Sequence, residues 1–457
     1  MALLLIIRQY FKWCIYSIVA IIAISCQSNN NSNFKTSESE KIEQTTPLNF
    51  IGHWKNEGDR GKLVREVANE FEFTHQDIKV NLKFPEDLYN ADDSLEIKFI
   101  IKQIQMPSAD WDIIRIKEHY YPIASKLNDP DWGKKYLVDF SEIPGFVNLN
   151  LPIINTSVIK QRTGNICIGP YNEGFYWAIF LNTDVAKRIG INIKQYDMTF
   201  DDLLGYVKAV YEYNKTSHTH IAAIFEDKGW ISTETLFKRL CYSLCSYKEI
   251  LDTRLTKEKL TAIEKGYEAC EQLSAFHPII NSRMQIDWGR DNDFPLKDSC
   301  LFFINGSWMY NIWVQKSKEG IRKMLPCELP VFKPSDSYVG GYTCNWAVPK
   351  NAAHKKEAIQ MMMYWCKPEI AEKWARYTKC PSGVKGNLTS STFGLDPYES
   401  FVYNIEKKYG DRKVHPVSNA YLFGDKNFRL PLRVIEVLEG KMTSAQAVKE
   451  FKQKAQY

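Results

Sequence analysis

Aromatic, acidic and amide side chains lie close together in two short segments of this 457-residue chain. Residues 53–59 read His-Trp-Lys-Asn-Glu-Gly-Asp, and residues 117–120 read Lys-Glu-His-Tyr. Aromatic rings offer flat apolar faces for stacking, and carboxylate and amide groups form directional hydrogen bonds. The chain is also rich in aromatic residues, with 24 Phe, 25 Tyr and 12 Trp. Both segments are therefore candidates for a binding site.

Alternating hydrophobic patterns predict that both segments follow β-strands. Residues 48–54 form an apolar strand candidate, residues 63–71 carry one helical stripe, and residues 78–84 alternate with period two. The unit repeats more loosely through a helix at 95–105 into a strand at 111–116. This rhythm predicts a parallel sheet covered by helices, with sites beyond the carboxyl ends of the strands.

Local signals also predict helices later in the chain. Thr199 and Asp202 match a capping box for a helix that runs to about residue 213. Thr443 and Gln446 match the start of a last helix. We therefore predict an α/β protein whose second half is rich in helices.

The composition is that of a globular protein, with 44% hydrophobic residues, 25% charged residues and a formal net charge of +5. These values favour neither a disordered chain nor a partner nucleic acid. The length allows two or three domains, each with its own core.

The N-terminus has the pattern of a secretion signal. Arg8 and Lys12 precede an apolar run at residues 13–24, and no acidic residue occurs before Cys26. A run of about a dozen residues is shorter than the roughly 20 that span a bilayer. A permanent membrane helix is thus the weaker alternative.

Ser25 directly before Cys26 resembles the lipobox of bacterial lipoproteins, in which the cysteine becomes the lipidated first residue. We predict a signal peptide at residues 1–25, a lipid on Cys26 and a flexible polar tether at residues 26–44. These features predict a periplasmic or cell-envelope protein, held to a membrane through its N-terminal lipid. A plain cleaved signal and an uncleaved anchor remain alternatives.

Neither the spacing of the other cysteines nor any enzyme motif predicts catalysis or metal binding. The cysteines are odd in number and form no CxxC motif, so we predict that most are buried small hydrophobic residues. They are Cys167, Cys241, Cys245, Cys270, Cys300, Cys327, Cys344, Cys366 and Cys380. The chain has no HExxH, no GxSxG and no phosphate loop. We predict no catalytic residue, no metal and no cofactor.

Short motifs follow one another over the whole chain after the signal. They are FIGHW at 50–54, ADWDII at 109–114, GNICIGP at 164–170, FLNTDV at 180–185, CLFFINGSW at 300–308, GGYTCNWAVP at 340–349 and LEGKMT at 438–443. Each motif alone is weak. In this order they resemble the family 1 extracellular solute-binding proteins, the group that contains maltose-binding protein.

The resemblance implies the type II periplasmic-binding-protein fold, in which two α/β lobes, each a mixed sheet flanked by helices, share a hinge with three chain crossings. The crossings are expected near residues 160, 298 and 350. The implied lobes are residues 45–160 plus 299–350 and residues 161–298 plus 351–457. A ligand between the lobes would close the hinge, and the closed form would meet an ABC transporter permease. A monomer is expected.

The residue types suit a sugar, because a pyranose has an apolar face for stacking and hydroxyls that need polar partners. The ligand-binding candidates are Trp54, Asn56, Glu57, Asp59, Glu118, Asn172, Glu173, Trp177, Trp230, Trp308, Tyr342, Asn345 and Trp346. Trp54 and Trp346 are the principal candidates. Each aromatic residue could instead pack in a core, and the acids could be solvated or favour a helix start.

The leading hypothesis is a substrate-binding lipoprotein of an ABC importer that captures a mono- or oligosaccharide without turnover. One alternative is a secreted glycan-active enzyme, and another is a surface glycan-capture lipoprotein, which is usually built from helical repeats. The particular sugar stays open, as does a sugar phosphate, a polyol or a peptide.

Overall fold

The computed structural model describes residues 45–55, 57–85, 93–116, 119–150, 165–226, 232–252, 254–279, 293–386, 396–410, 413–415, 419–423, 427 and 430–455. The predicted signal peptide, the lipidated Cys26 and the tether lie outside these residues. The statements that follow concern the described part of the chain.

The described residues form strands and helices that alternate along most of the chain. The strands are β1 (Thr46–Ile51), β2 (Ile78–Lys83), β3 (Ile114–Arg115), β4 (Glu173–Asn182), β5 (Ala222–Phe225), β6 (Cys300–Gly306), β7 (Met324–Cys327), β8 (Tyr338–Thr343), β9 (Trp346–Ala347) and β10 (Val414–His415). The helices are α1 (Asp59–Thr74), α2 (Asp93–Gln105), α3 (Tyr120–Leu127), α4 (Trp132–Tyr136), α5 (Phe146–Leu149), α6 (Thr183–Ile189), α7 (Phe200–Ser217), α8 (Ser232–Tyr242), α9 (Tyr247–Leu251), α10 (Lys257–Ser274), α11 (Met309–Lys316), α12 (Lys318–Lys323), α13 (Lys355–Trp365), α14 (Pro368–Thr378), α15 (Pro397–Tyr409), α16 (Asn419–Phe423), α17 (Val434–Leu438) and α18 (Ser444–Ala455).

The first strands confirm the predicted strand, helix, strand order. β1 and β2 run parallel, with Leu48 opposite Val80. Phe50 of β1 also pairs in parallel with Ile113, directly before β3. The apolar stripe of α1, which includes Phe71, is buried as its helical spacing predicts. The carboxyl ends of these strands therefore lead into the two segments that were singled out for binding.

The second sheet is mixed, which confirms the mixed sheet that the resemblance implies. Its strand order is β10-β8-β4-β6-β5, and β7 pairs with part of β4. β4 is antiparallel to β6 and β8, whereas β5 is parallel to β6. Because of this pairing, the start of β4 lies at the same edge of the sheet as the ends of β6 and β8.

The buried apolar side chains form two clusters. The first core takes its members from residues 48–171 and 344–384. The second core takes its members from residues 176–339 and 398–451. The chain thus passes between the cores at 171–176, at 339–344 and at 384–398, which makes three passages.

This packing differs from the predicted lobes in two segments. Residues 299–350 were expected in the first lobe, but β6 is hydrogen-bonded between β4 and β5, so most of this segment belongs to the second core. Residues 351–457 were expected in the second lobe, but α13 and α14 pack in the first core near α1. The reason is strand pairing between distant parts of the chain, which local patterns do not encode.

Two predicted helix starts are present. Thr199 and Asp202 form a complete capping box at the start of α7, with the Thr199 hydroxyl accepting from the Asp202 amide at 3.1 Å. Before α18, the Thr443 amide donates to the Gln446 side chain at 2.9 Å, and the Gln446 amide donates to the Thr443 hydroxyl at 3.2 Å. These local signals are therefore reliable markers of where the helices begin.

The cysteines in the described residues are free and buried. Burial raises the pKa of Cys245 to about 11 and that of Cys167 to about 12. The thiolate is the reactive form, and a thiol with a pKa near 11 is only about one thousandth ionised at pH 8. The folded protein therefore holds these residues as inert thiols.

We expect residues 27–457 to resist a thiol reagent such as DTNB at pH 8 while folded and to release nine equivalents of product after denaturation. The measurement is absorbance with and without 6 M guanidinium chloride. Rapid reaction of several thiols in the folded protein would contradict the buried placement.

Candidate functional site

Three aromatic rings form a platform at one edge of the second sheet. Phe175 and Trp177 alternate along β4 and so project from the same face. Trp308 follows β6, and its ring centroid lies 4.9 Å from that of Phe175 and 5.5 Å from that of Trp177. Phe175 and Trp308 are half-buried, and Trp177 is 8% exposed. We call Phe175, Trp177 and Trp308 the aromatic platform.

Glycines bring the strands close to these rings. A Cβ at Gly306 would lie 2.1 Å from the Trp308 ring, and a Cβ at Gly341 would lie 2.9 Å from the Phe175 ring. Any side chain at either position would therefore displace a ring. The lack of a side chain at these two glycines lets the rings lie directly against the strands.

A carboxylate stands on the same face of β4 as the platform. Glu173 is two residues before Phe175, and its Oε1 accepts from Arg60 Nη1 at 3.1 Å. Its Oε2 accepts from Asn345 Nδ2 at 2.8 Å. Arg60 Nη1 also donates to Glu57 Oε2 at 3.2 Å. We call Glu57, Arg60, Glu173 and Asn345 the junction site, because they come from segments on both cores.

The Arg60–Glu173 pair of the junction site lies in a largely dry environment. The Arg60 and Glu173 side chains are 5% and 14% exposed. Burial alone would lower the pKa of the Arg60 guanidinium, but the charges of Glu173 and Glu57 raise that pKa above its usual value. Arg60 is therefore charged at every physiological pH.

A thiol and a hydroxyl extend the junction site toward the third passage of the chain. Arg60 Nη2 lies 3.7 Å from Cys380 Sγ, and Ser307 Oγ donates to the same sulfur at 3.4 Å. Burial raises the pKa of Cys380, although Arg60 acts in the opposite direction. Cys380 is thus a neutral thiol that fills the space beside the guanidinium.

Asn172, directly before Glu173, is buried without a hydrogen-bond partner in the described residues. It is 1% exposed, and neither its Nδ2 nor its Oδ1 has a partner among them. A buried amide that makes no hydrogen bond is costly, so such groups in native proteins usually meet a water or a ligand. Asn172 is therefore available to a polar ligand group that reaches it.

The structure brings several of the predicted residues together. Glu57, Glu173 and Asn345 share the junction site, and Trp177 and Trp308 share the platform. Tyr342 packs against both cores, and its hydroxyl lies 3.3 Å from the Tyr176 hydroxyl. Asp59 begins α1. Asn56, Glu118 and Trp230 lie outside the described residues, so their predicted roles stay predictions.

The two principal candidates, Trp54 and Trp346, lie inside the first core instead. They are 1% and 0% exposed, and their ring centroids are 5.5 Å apart in an edge-to-face contact. Trp54 also packs on Trp374 at 5.0 Å, and Trp346 Nε1 donates to the Ile51 carbonyl at 3.1 Å. In this conformation neither ring has a free face, so ligand contact by either residue would require the core to open.

Phe175 and Arg60 belong to the site but were not among the predicted residues. Phe175 stands midway between Glu173 and Trp177 in a period-two pattern, and that alternation could have identified it. Arg60 lies in the first turn of α1, where no local signal distinguishes it from an exposed helical cation. Its partner Glu173 is 113 residues away in the sequence.

Within the described ranges, no group of three His, Cys, Asp or Glu residues is placed to hold a metal ion. No helix in the same ranges is long and apolar enough to cross a membrane. The platform and the junction site together offer ring faces, a fixed carboxylate and amides. This chemistry suits reversible binding of a polar molecule that has apolar faces.

A family model described as bacterial extracellular solute-binding protein matches residues 67–394. The chain is 20% identical over 367 residues to the melibiose/raffinose/stachyose-binding protein MelE of Bacillus subtilis (strain 168). This alignment covers 77% of this chain and 78% of MelE. A family 1 extracellular solute-binding protein from Bifidobacterium longum subsp. infantis has a TM-score of 0.60 at 15% identity, covering 90% of this chain and 98% of that one. The solute-binding protein RafE in complex with raffinose has a TM-score of 0.59 at 15% identity, covering 90% and 99%. At these identities the structures show a shared fold.

The placement of the tryptophans predicts unequal costs of substitution. Trp346→Ala should lower the free energy of unfolding by about 3–5 kcal/mol, because it empties a fully buried site. Trp308→Ala should lower it by less than about 2 kcal/mol, because the ring is only partly buried. Urea denaturation of both variants measures the difference, and equal losses would contradict the assignment of Trp346 to the core.

Proposed function

The chain belongs to the family of bacterial extracellular solute-binding proteins, and on that premise we propose that it captures a carbohydrate for delivery to the permease of an ABC importer. The observation that supports this proposal most is the aromatic platform beside the ionised Glu173. A sugar ring stacked on Trp308 or Phe175 would present its hydroxyls to that carboxylate.

The polar groups around the platform suit hydroxyl recognition. Each oxygen of Glu173 already accepts one hydrogen bond and keeps capacity for a second. Asn172 directly precedes Glu173 in the sequence, and its buried amide has an unsatisfied donor and an unsatisfied acceptor. A ligand hydroxyl can donate to the spare acceptor capacity of Glu173, and a polar ligand group that reaches Asn172 would satisfy its amide, which an apolar ligand would not. The site therefore selects for polyhydroxylated molecules.

The relatives favour oligosaccharides among such molecules. MelE is named for melibiose, raffinose and stachyose, and RafE was solved with raffinose. The two cores would act as the lobes, with 45–171 plus 344–386 on one side and 172–343 plus 396–455 on the other. A sugar that contacts both would shift the population toward a closed form for the permease to recognise. We propose binding without turnover.

The N-terminal features belong to the same proposal. Residues 1–25 would direct export, Cys26 would carry the lipid, and residues 26–44 would tether a monomeric binding unit in the cell envelope. A tethered receptor stays at high effective concentration near its permease.

We expect raffinose, melibiose or stachyose to raise the unfolding temperature of residues 27–457. A ligand at about 100 times its dissociation constant stabilises a protein by roughly 2.7 kcal/mol. Trp308→Ala and Trp177→Ala should weaken the affinity measured by calorimetry at least tenfold, or about 1.4 kcal/mol. Trp111→Ala is the matched control, because this partly buried residue belongs to the first core and should bind like the wild type.

The proposal fails if no mono- or oligosaccharide stabilises protein that is folded and free of bound ligand. It also fails as a binding function if chromatography shows that an oligosaccharide is cleaved. Loss of affinity in Trp111→Ala as large as in Trp308→Ala would place the sugar away from the platform.

For the anchor, we expect the full chain expressed in a bacterium to fractionate with membranes and to carry the mass of a lipid on its N-terminal peptide. Cys26→Ser should release it to the soluble envelope fraction, because no acyl chain can be attached. An unchanged distribution of Cys26→Ser would contradict lipidation at this residue.

A further inference from the structure

A second buried ionic cluster lies in the first core, away from the platform. It consists of His53, Glu96, Arg115 and His119, which are 4–6% exposed. Arg115 Nε donates to Glu96 Oε1 at 2.7 Å, and Arg115 Nη2 lies 2.6 Å from the same oxygen. His119 Nε2 lies 3.0 Å from Glu96 Oε2, and Arg115 Nη1 lies 3.3 Å from His53 Nδ1. Glu96 therefore contacts Arg115 and His119 directly, and His53 joins the cluster through Arg115.

The hydrogen bonds define the roles of both imidazoles. A guanidinium only donates, so His53 Nδ1 accepts from Arg115 and its proton sits on Nε2. A carboxylate only accepts, so His119 Nε2 donates to Glu96.

The cluster joins three separate parts of the first core. His53 lies in the turn after β1, Arg115 ends β3, and His119 directly precedes α3. Glu96 is the residue from α2 that reaches them. Its carboxylate thus fixes the turn after β1 relative to the end of β3.

One route leads from the cluster to Arg60. The His53 ring packs on the Trp54 ring at 4.6 Å, and Trp54 has a positive φ of 59°. The Trp54 carbonyl accepts from the Glu57 amide at 3.3 Å, and the Glu57 carbonyl accepts from the Arg60 amide at 3.2 Å. A continuous chain of contacts therefore connects His53 to Arg60.

A separate route leads from the cluster to Asn345. Arg115 pairs with Trp346 in the antiparallel β3–β9 ladder. The amide of Ile116, the next residue, donates to the Asn345 carbonyl at 2.7 Å. Arg60 and Asn345 are the two residues that hold the Glu173 carboxylate, so both routes end at the same group.

We propose that Glu96 is a positioning residue for the binding site: through His53 and Arg115 it sets the places of Arg60 and Asn345, and hence of the Glu173 carboxylate. The inference rests on the proposed carbohydrate-binding function for its effect on affinity. A buried ionic cluster contributes little to stability compared with an apolar core of equal volume. Its value here is the geometry that it imposes on two loops.

The test uses residues 27–457 and compares Glu96→Gln with Glu328→Gln. Gln keeps the shape of Glu96 but removes the charge that orients Arg115 and His119. Glu328 is a matched control, because it is 2% exposed in the second core and pairs with Lys408 at 2.8 Å, away from the junction site. Glu96→Asp, which keeps the charge on a shorter side chain, replaces Glu96→Gln if that variant does not fold.

Hydrogen exchange tests the positioning role of Glu96 in the absence of a ligand, because it reports how often each backbone amide opens to solvent. In Glu96→Gln we expect the amides of Glu57, Arg60 and Ile116 to exchange at least fivefold faster, with the amides of α10 unchanged. Glu328→Gln should leave these three amides as in the wild type. Unchanged exchange in Glu96→Gln, or equal acceleration throughout the chain, would overturn the proposal.

Sugar affinity tests whether Glu96 influences binding through Glu173. Glu96→Gln should weaken binding at least tenfold in the wild-type background and less than twofold in a Glu173→Gln background, because the group it positions is then already changed. Equal losses in both backgrounds would overturn the positioning role. If the wild type binds no carbohydrate, the proposed function fails and the exchange result alone decides the role of Glu96.

Discussion

The buried ion pair between Arg60 and Glu173 is the interaction on which the site depends. A guanidinium removed from water needs a counter-charge, and the cost of leaving it unpaired is several kcal/mol. Arg60 enters from α1 on the first core, whereas Glu173 begins the long strand β4 of the second sheet. Both charges are therefore paired only when the two cores hold this position relative to each other.

The three passages of the chain meet around this pair. Glu173 lies in the first passage, Asn345 follows the second, and Cys380 precedes the third. Each residue lies within hydrogen-bond range of Arg60 or Glu173. Under the proposed function, a ligand that engages Glu173 would contact the place where the two cores are connected. The aromatic platform adds stacking area along the same face of β4, so the proposed function implies that ligand binding is coupled to the geometry of the passages.

Local sequence patterns predict much of the fold but only part of the site. The α1 stripe and the Thr199 capping box are encoded within a few residues, so their helices are predictable. The pairing of β6 with β4 joins residues more than a hundred positions apart, and it decides which core receives residues 300–343. Trp54 carries the right chemistry in the right loop, yet a positive φ and packing against Trp346 place its ring in the core. Glu173, Trp177 and Trp308 were identifiable because a carboxylate and aromatic rings suit a sugar, whereas Arg60 becomes identifiable only when its partner is known.

A crystal structure of residues 27–457 with the saccharide that binds most tightly would show whether the aromatic platform is the binding site. We expect a sugar ring against Trp308, Phe175 or Trp177, with a hydroxyl within about 3.2 Å of a Glu173 oxygen. A saccharide bound elsewhere, with the platform rings and the Arg60–Glu173 pair untouched, would contradict this expectation.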